Sequence, residues 1–264
     1  MKTNHKLSIM QLVLIALCAM VLAGHRYLTA PTGMELFCVA LASAMVVALG
    51  AIGVERLRCK LQLKPAVMDK AGFALLAGAG FLFLLAAGFT FLQHDLSSVL
   101  KVISALFAAA CGAVTLMRLP LRDSGETAAV YALVPIFYLS FYLLVFYRSN
   151  GDNPALFQFG YEIAVILVAL LGIYAAVAGR FEKARPRFRA VCCSLGLLLI
   201  GQELCYLLLN PGQVLSIPGF SPATAVTLAA FALLLCCGLC YPPVRDVFPI
   251  VEETQEDDET PSDE

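Results

Sequence analysis

The chain has 264 residues, of which 60% are hydrophobic and 14% charged, and its formal net charge is −1. Soluble domains carry about 25% charged residues, so this chain has too little polar surface to cover a soluble globule, and its charge gives no reason to expect a nucleic-acid partner. The composition predicts an integral membrane protein, with the lipid bilayer as its solvent.

Apolar runs of about the length that crosses the hydrocarbon core recur along most of the chain. They predict eight transmembrane helices at Leu7–Ala23, Met34–Val54, Ala71–Leu92, Val102–Met117, Ala128–Tyr147, Phe157–Gly179, Val191–Leu209 and Pro222–Tyr241. Turn residues separate the runs, and Ser221-Pro222 before the last one is typical of a helix N-terminus. The predicted fold is an all-α, polytopic membrane bundle over residues 1–246.

The first run also fits a second interpretation. It is short for a span, and MKTNHK followed by an apolar stretch ending in VLAG is typical of a signal peptide cleaved after Ala23. Cleavage would leave seven helices with an external N-terminus, and the loops that follow would keep their charges.

Lysine and arginine are distributed unequally between the two sides of the predicted bundle. If the N-terminus is cytoplasmic, 15 of the 18 basic residues lie on the cytoplasmic side, and only Arg26, Lys101 and Arg148 lie on the other side. The positive-inside rule therefore predicts a multi-pass plasma-membrane protein with both termini in the cytoplasm. The acidic stretch at 247–264 is predicted to be a disordered cytoplasmic tail.

The second and sixth runs begin alike, with Glu35 in MELFCVALA and Glu162 in YEIAVILVA, and each run ends in a basic loop. The spacing of the two acids is close to half the chain, which predicts a parallel repeat of four plus four helices. Shared apolar composition is the alternative explanation. The two acids are expected at the membrane interface, where a helix N-terminus favours a carboxylate, or, if they point inward, in a cation pathway.

The fifth run carries a stripe of tyrosines. Tyr131, Pro135, Tyr138 and Tyr142 recur at i, i+4, i+7 and i+11, which places them on one face of a helix. Pro135 removes a backbone hydrogen bond and is predicted to kink this helix. The stripe either lines a polar cavity or packs with its hydroxyls bonded to neighbouring helices.

Gln202 and Glu203 interrupt the seventh run, LLLIGQELCYLLLN, about 4–5 Å from its middle at 1.5 Å per residue. An ionised acid at that depth costs about 2.5–3.5 kcal/mol, and no lysine or arginine lies within any predicted run. Glu203 is therefore expected to be protonated, to bond with tyrosine, glutamine and backbone groups, or to bind a cation from outside the chain. Hydrogen bonding between helices is the structural alternative.

Small residues recur four apart in three of the runs, which predicts close helix packing and a compact bundle without a wide pore. They are Ala40, Ala44 and Ala48 in the second run, Ala74 and Gly78 in the third, and Ala108 and Gly112 in the fourth.

Motifs for nucleotide binding, serine hydrolysis and zinc proteolysis are absent from the sequence, so no enzyme activity is predicted. The chain has 10 cysteines, and Cys237 and Cys240 form a C-x-x-C motif. Cys192 and Cys193 are predicted to lie at the same depth in the membrane, on the preceding helix. A metal or redox site is the alternative there. Because these residues lie in apolar helix ends without histidine, we expect small apolar side chains, no cofactor and no metal.

The leading functional hypothesis is a secondary transporter or permease for a small cationic or proton-coupled solute. Its predicted binding residues are Glu203, Gln202, Tyr131, Tyr138, Tyr142, Glu162 and Glu35. The expected partners are the lipid bilayer, a small solute or proton, and a protein bound through the acidic tail, with no nucleic acid. The alternative is a scaffold or accessory subunit that binds partners or anionic lipid through its basic loops and acidic tail.

Overall fold

The regular structure of the chain is entirely helical. The computed structural model describes residues 2–29, 33–61, 70–92, 99–119, 130–150, 156–178, 185–214 and 221–241, and no strand occurs in these ranges. The long helices are α1 (Lys2–Thr29), α2 (Gly33–Lys60), α3 (Lys70–Leu92), α4 (Val99–Met117), α5 (Val134–Asn150), α6 (Leu156–Ala178), α7 (Pro186–Leu209) and α8 (Pro222–Cys240). The predicted all-α fold class is confirmed.

Six of the described helices, α1, α2, α3, α6, α7 and α8, are long and apolar enough to cross a membrane. The shorter apolar helices α4 and α5 have 19 and 17 residues, near the lower end of the spanning range. The chain is therefore a helical membrane protein. The predicted acidic tail and the loop residues 62–69, 120–129 and 179–184 lie outside the described residues.

Several helices extend past the apolar runs that predicted them. Helix α1 continues beyond Ala23 to Thr29, and α7 begins at Pro186 instead of Val191. A run of apolar residues ends at the first charged side chain, whereas a helix can continue because its backbone hydrogen bonds are internal. Leu22 and Ala23, at the alternative cleavage position, are fully buried within α1.

The fifth predicted helix is broken beside Pro135, by a turn at residues 132–133, instead of being one kinked helix. Helix α5 begins at Val134, so Pro135 occupies its first turn, where proline removes no intrahelical hydrogen bond. Tyr131 lies on the helical residues before this turn, while Tyr138 and Tyr142 lie on α5. The tyrosine stripe is therefore shorter than predicted.

Helix α7 is at the centre of the bundle, where it packs against α1, α2, α6 and α8. Its counterpart in a four-plus-four repeat would be α3, which packs most extensively against α4 and α8. These two helices have different sets of neighbours, so the packing of the described helices does not repeat between the halves of the chain.

The cap of α8 provides a test of local stability. The Ser221 hydroxyl accepts a hydrogen bond from the Thr224 backbone N–H at 3.3 Å, and the Thr224 hydroxyl accepts one from the Ser221 N–H at 3.3 Å. Replacing Ser221 with alanine removes the first bond, so we expect a loss of about 1 kcal/mol in the free energy of unfolding. Ser221→Asn should retain most of the stability, since asparagine caps equally well; equal melting temperatures in detergent for the two variants would contradict this role.

Candidate functional site

A buried ion-pair cluster joins three helices at the end of the bundle where α1 and α7 end. Arg26 of α1 donates from Nη1 to Glu203 Oε2 of α7 at 2.8 Å and from Nη2 to Glu162 Oε1 of α6 at 2.9 Å. The Glu203 and Glu162 side chains are only 1% and 3% exposed, and that of Arg26 is 13% exposed. One guanidinium thus bridges two carboxylates inside the bundle.

Aromatic rings enclose the guanidinium of Arg26. Its Cζ lies 4.1 Å from the centroid of the Tyr206 ring and 5.1 Å from that of Tyr161, both within cation–π distance. The Tyr161 hydroxyl donates a hydrogen bond to the side-chain carbonyl of Gln202. These residues, Arg26, Tyr161, Glu162, Gln202, Glu203 and Tyr206, are called the Arg26 cluster below.

A small cavity lies beside the two carboxylates, with room of about 10 Å³ for the centre of a water molecule. Its walls come from α5, α6, α7 and α8 and include Tyr142, Glu162, Glu203 and Thr224. Glu162 Oε2 and Glu203 Oε1, the oxygens that do not bind Arg26, have no hydrogen-bond partner among the described residues. The volume is close to the minimum for one water molecule.

The structure corrects the expectation that no base can reach Glu203. Arg26 does lie at a helix end, in the last turn of α1, but α1 continues six residues beyond Ala23 and the Arg26 side chain reaches Glu203. Helix α7 also begins earlier than predicted. Glu203 is therefore about 8 Å from the middle of its helix, at 1.5 Å per residue, and not 4–5 Å.

The structure brings four of the predicted site residues together. Glu203, Gln202 and Glu162 belong to the Arg26 cluster, and Tyr142 shares the small cavity, where its hydroxyl donates to Thr224 Oγ1 of α8 at 3.1 Å. Glu162 follows the inward-pointing alternative, because its side chain is buried and paired with Arg26.

The other three predicted residues lie elsewhere. Tyr138 is buried one turn away, 3.4 Å from Thr227 Oγ1 and packed against Phe83 and Phe231, which fits the packing alternative. Tyr131 is partly buried ahead of α5, and Glu35 is exposed in the first turn of α2. Neither Tyr131 nor Glu35 belongs to the buried cluster.

Three residues of the cluster were not predicted from the sequence: Arg26, Tyr161 and Tyr206. The signal for the two tyrosines was present, since Tyr161 adjoins Glu162 and Tyr206 lies one turn after Glu203, at i+3. Arg26 had no such signal, because its two partners are 136 and 177 residues away along the chain.

A second buried polar cluster lies toward the other end of α1. Arg58 of α2 donates from Nη1 to Glu55 at 2.5 Å and from Nη2 to the Ser8 hydroxyl at 2.6 Å. Gln11 of α1 donates to the Ser194 hydroxyl of α7 at 2.8 Å. These residues, Ser8, Gln11, Glu55, Arg58 and Ser194, are called the Arg58 cluster; like the Arg26 cluster, it connects α1 with α7.

The cysteines of the C-x-x-C segment are part of the apolar interior. Cys192, Cys193, Cys237 and Cys240 are buried. Within the described ranges, no group of three histidine, cysteine or acidic residues is arranged to hold a metal.

Compared with models of protein families, with curated proteins and with solved structures, the chain has no significant match, so its function has to be argued from the geometry of its own residues.

Proposed function

We propose that this membrane protein is a proton-coupled secondary transporter or permease for a small cationic solute, and that the Arg26 cluster is its binding site. The observation that carries the proposal is a guanidinium bound by two buried carboxylates and two aromatic rings inside a membrane bundle. Ionisable groups at such depth are costly, and they characteristically mark pathways for ions and solutes.

Stability alone is a poor reason for such a cluster. Burying an ion pair takes each charge out of water, and well-packed apolar residues of similar volume are often as stabilising or more so. Two carboxylates with two tyrosine faces are the groups that recognise an organic ammonium or guanidinium ion. In the described structure Arg26 occupies the position that a solute cation would take.

The proposed cycle uses the movement of α1. When α1 shifts and withdraws Arg26, Glu162 and Glu203 become available to an entering cation, and Tyr161 and Tyr206 cover its faces. When the cation leaves, Arg26 returns and again places a positive charge between the carboxylates. Because the site is formed by three helices and the adjoining cavity by four, a relative movement of these helices would open it.

The positions of the two polar clusters, near the two ends of α1, suit an alternating-access mechanism of transport. The middle portion of α1 packs through apolar residues such as Ile15, Ala19 and Leu22, while its polar contacts are near the two ends. With the predicted orientation, the Arg26 cluster faces outward and the Arg58 cluster faces the cytoplasm. Breaking one cluster while the other is closed would expose the pathway to one side at a time. The proposal keeps the location predicted from the sequence, a plasma-membrane protein with both termini in the cytoplasm.

The proposal predicts that uptake depends on Glu203. Purified protein in lipid vesicles, with an imposed pH gradient and a trapped pH-sensitive dye, is assayed with a panel of methylammonium, guanidinium, choline, Na⁺ and K⁺. At least one cation should dissipate the gradient, and Glu203→Gln should slow that flux roughly tenfold or more, since it removes a carboxylate that binds the cation. Glu35→Gln, at an exposed acid, should leave the flux unchanged.

A scaffold or accessory subunit is the second candidate, and the tight packing of the bundle favours it. The two cavities characterised in the described part of the chain have volumes of only about 10 and 30 Å³. In this role the ion pairs fix the helix arrangement, and basic loops and the acidic tail bind partners or anionic lipid. If no cation of the panel moves, this candidate replaces the transporter; neither candidate requires enzyme activity.

A further inference from the structure

We infer that Glu162 and Glu203 share one bound proton at neutral pH, so that the Arg26 cluster is a single-proton site. The inference deepens the proposed function and rests on it for the proton's role in coupling. The occupancy of the site itself is measurable without any transport assay. It follows from the charges and contacts of five helices.

The first argument is the balance of charge. Two carboxylates contact one guanidinium, so a fully ionised cluster would hold one negative charge in excess. Both acids are almost completely buried, and an uncompensated charge in such surroundings is strongly unfavourable. A single proton on either carboxylate makes the cluster neutral. Since both acids bind Arg26 equivalently, through one oxygen each, the proton belongs to the pair.

The second argument is the position of the unpartnered oxygens. Glu162 Oε2 and Glu203 Oε1 lack a hydrogen-bond partner among the described residues, and both side chains line the small cavity. A protonated carboxyl can donate a hydrogen bond from such an oxygen to the other carboxylate. Both orphaned oxygens are then satisfied by the same proton.

A metal cation fits the cavity less well than a proton. Hard cations surround themselves with about six oxygens, whereas the polar groups on the cavity walls are the two carboxylates and the hydroxyls of Tyr142 and Thr224. The other lining residues are apolar, and the guanidinium of Arg26 on the carboxylates repels a second positive ion. A proton needs neither a ligand shell nor additional volume.

The groups around the carboxylates leave the proton to this pair. Arg26 faces them from α1, Tyr161 from α6, Tyr206 from α7 and Tyr142 from α5, while α8 contributes Thr224. His25 precedes Arg26 on α1, and no hydrogen bond of the described structure joins its ring to either carboxylate. Glu55, the acid of the other cluster, is paired with its own Arg58.

The inference is tested by infrared spectroscopy of the carbonyl stretch of protonated carboxyl groups. The purified chain is studied at neutral pH in a detergent without ester groups, so that no lipid carbonyl overlaps the band. The wild-type protein should show the intensity of one acid. Glu162→Gln and Glu203→Gln should each show none, because the remaining acid is balanced by Arg26. Arg26→Met should show the intensity of two acids, and Arg26→Lys and Glu35→Gln should each show the intensity of one.

Two outcomes would overturn the inference. One is the absence of the band from the wild-type protein. If the band appears only when N-methylglucamine replaces Na⁺ and K⁺, the site binds an alkali cation instead of a proton. The other is a band that survives in both glutamine variants. If Arg26→Met does not fold, the bands of the two glutamine variants and of Arg26→Lys still test whether the pair holds one proton. If the infrared bands are as expected but no cation flux is found, only the transport proposal is refuted. If flux depends on Glu203 but the wild-type protein lacks the band, only the shared proton is refuted.

Discussion

Replacing Arg26 with methionine is expected to lower the free energy of unfolding by about 3–5 kcal/mol, the range for removing one partner of a buried ion pair. Methionine matches most of the arginine's volume, so the effect isolates the loss of charge. Glu162 and Glu203 would keep their burial but lose the guanidinium that binds both of them. Without the guanidinium both buried acids must be held protonated, whereas they ionise in the unfolded chain, so the loss should shrink as the pH is lowered toward the range where an exposed carboxyl is protonated. Unfolding in detergent, followed by circular dichroism at several pH values, measures both effects.

Two further proteins make this experiment specific. Arg148→Met removes an exposed arginine near the end of α5 and should change stability by less than about 1 kcal/mol. The triple variant Arg26→Met, Glu162→Gln and Glu203→Gln removes all three ionisable groups and should recover much of the lost stability, because an amide is neutral without binding a proton. If Arg26→Met and Arg148→Met are equally stable, the buried ion pairs do not contribute to the fold as argued.

The positions of the eight helices were predictable from the sequence because lipid imposes two requirements together. A segment in hydrocarbon must be apolar, and it must satisfy its backbone hydrogen bonds internally, which selects a helix. Helix ends were less predictable, since the headgroup region and the surrounding protein accept polar side chains. The six residues of α1 after Ala23 illustrate this, and they include Arg26, on which the site depends.

The composition of the site was predictable only in part. Gln202 and Glu203 were recognisable because polar residues in an apolar run are unusual. Their association with Arg26 depends on which helices are neighbours, and helical periodicity carries no information about that. Tyr131 illustrates the opposite error: its spacing matched that of Tyr138 and Tyr142, but a turn at residues 132–133 separates its helical residues from α5, so a continuous periodicity did not mean a continuous helix.

Close packing of α3 and α4 is the basis of the last prediction. A Cβ atom at Gly112 would lie 2.7 Å from Leu84 Cγ and 2.9 Å from the backbone oxygen of Gly80. The Leu84 side chain can move, but the Gly80 carbonyl is fixed within its helix. We therefore expect Gly112→Val to destabilise the protein by about 3 kcal/mol, the upper part of the range for overpacking. Gly112→Ala should have a smaller effect, and unfolding in detergent would measure both.

A matched control is available on α3 itself. Gly88 is exposed and has no atom within 4 Å of the position its Cβ would take, so Gly88→Val should be nearly neutral. Ala108 and Gly112 were predicted as a packing pair from their spacing alone, whereas on α3 the contacting glycine is Gly80, and the predicted Gly78 faces Leu233 of α8 instead. In lipid, helices lack a hydrophobic drive to associate, so van der Waals contact between such backbones holds the pair together. Equal stability of Gly112→Val and Gly88→Val would show that α3 and α4 can separate without loss, and that this contact does not position the helices around the site.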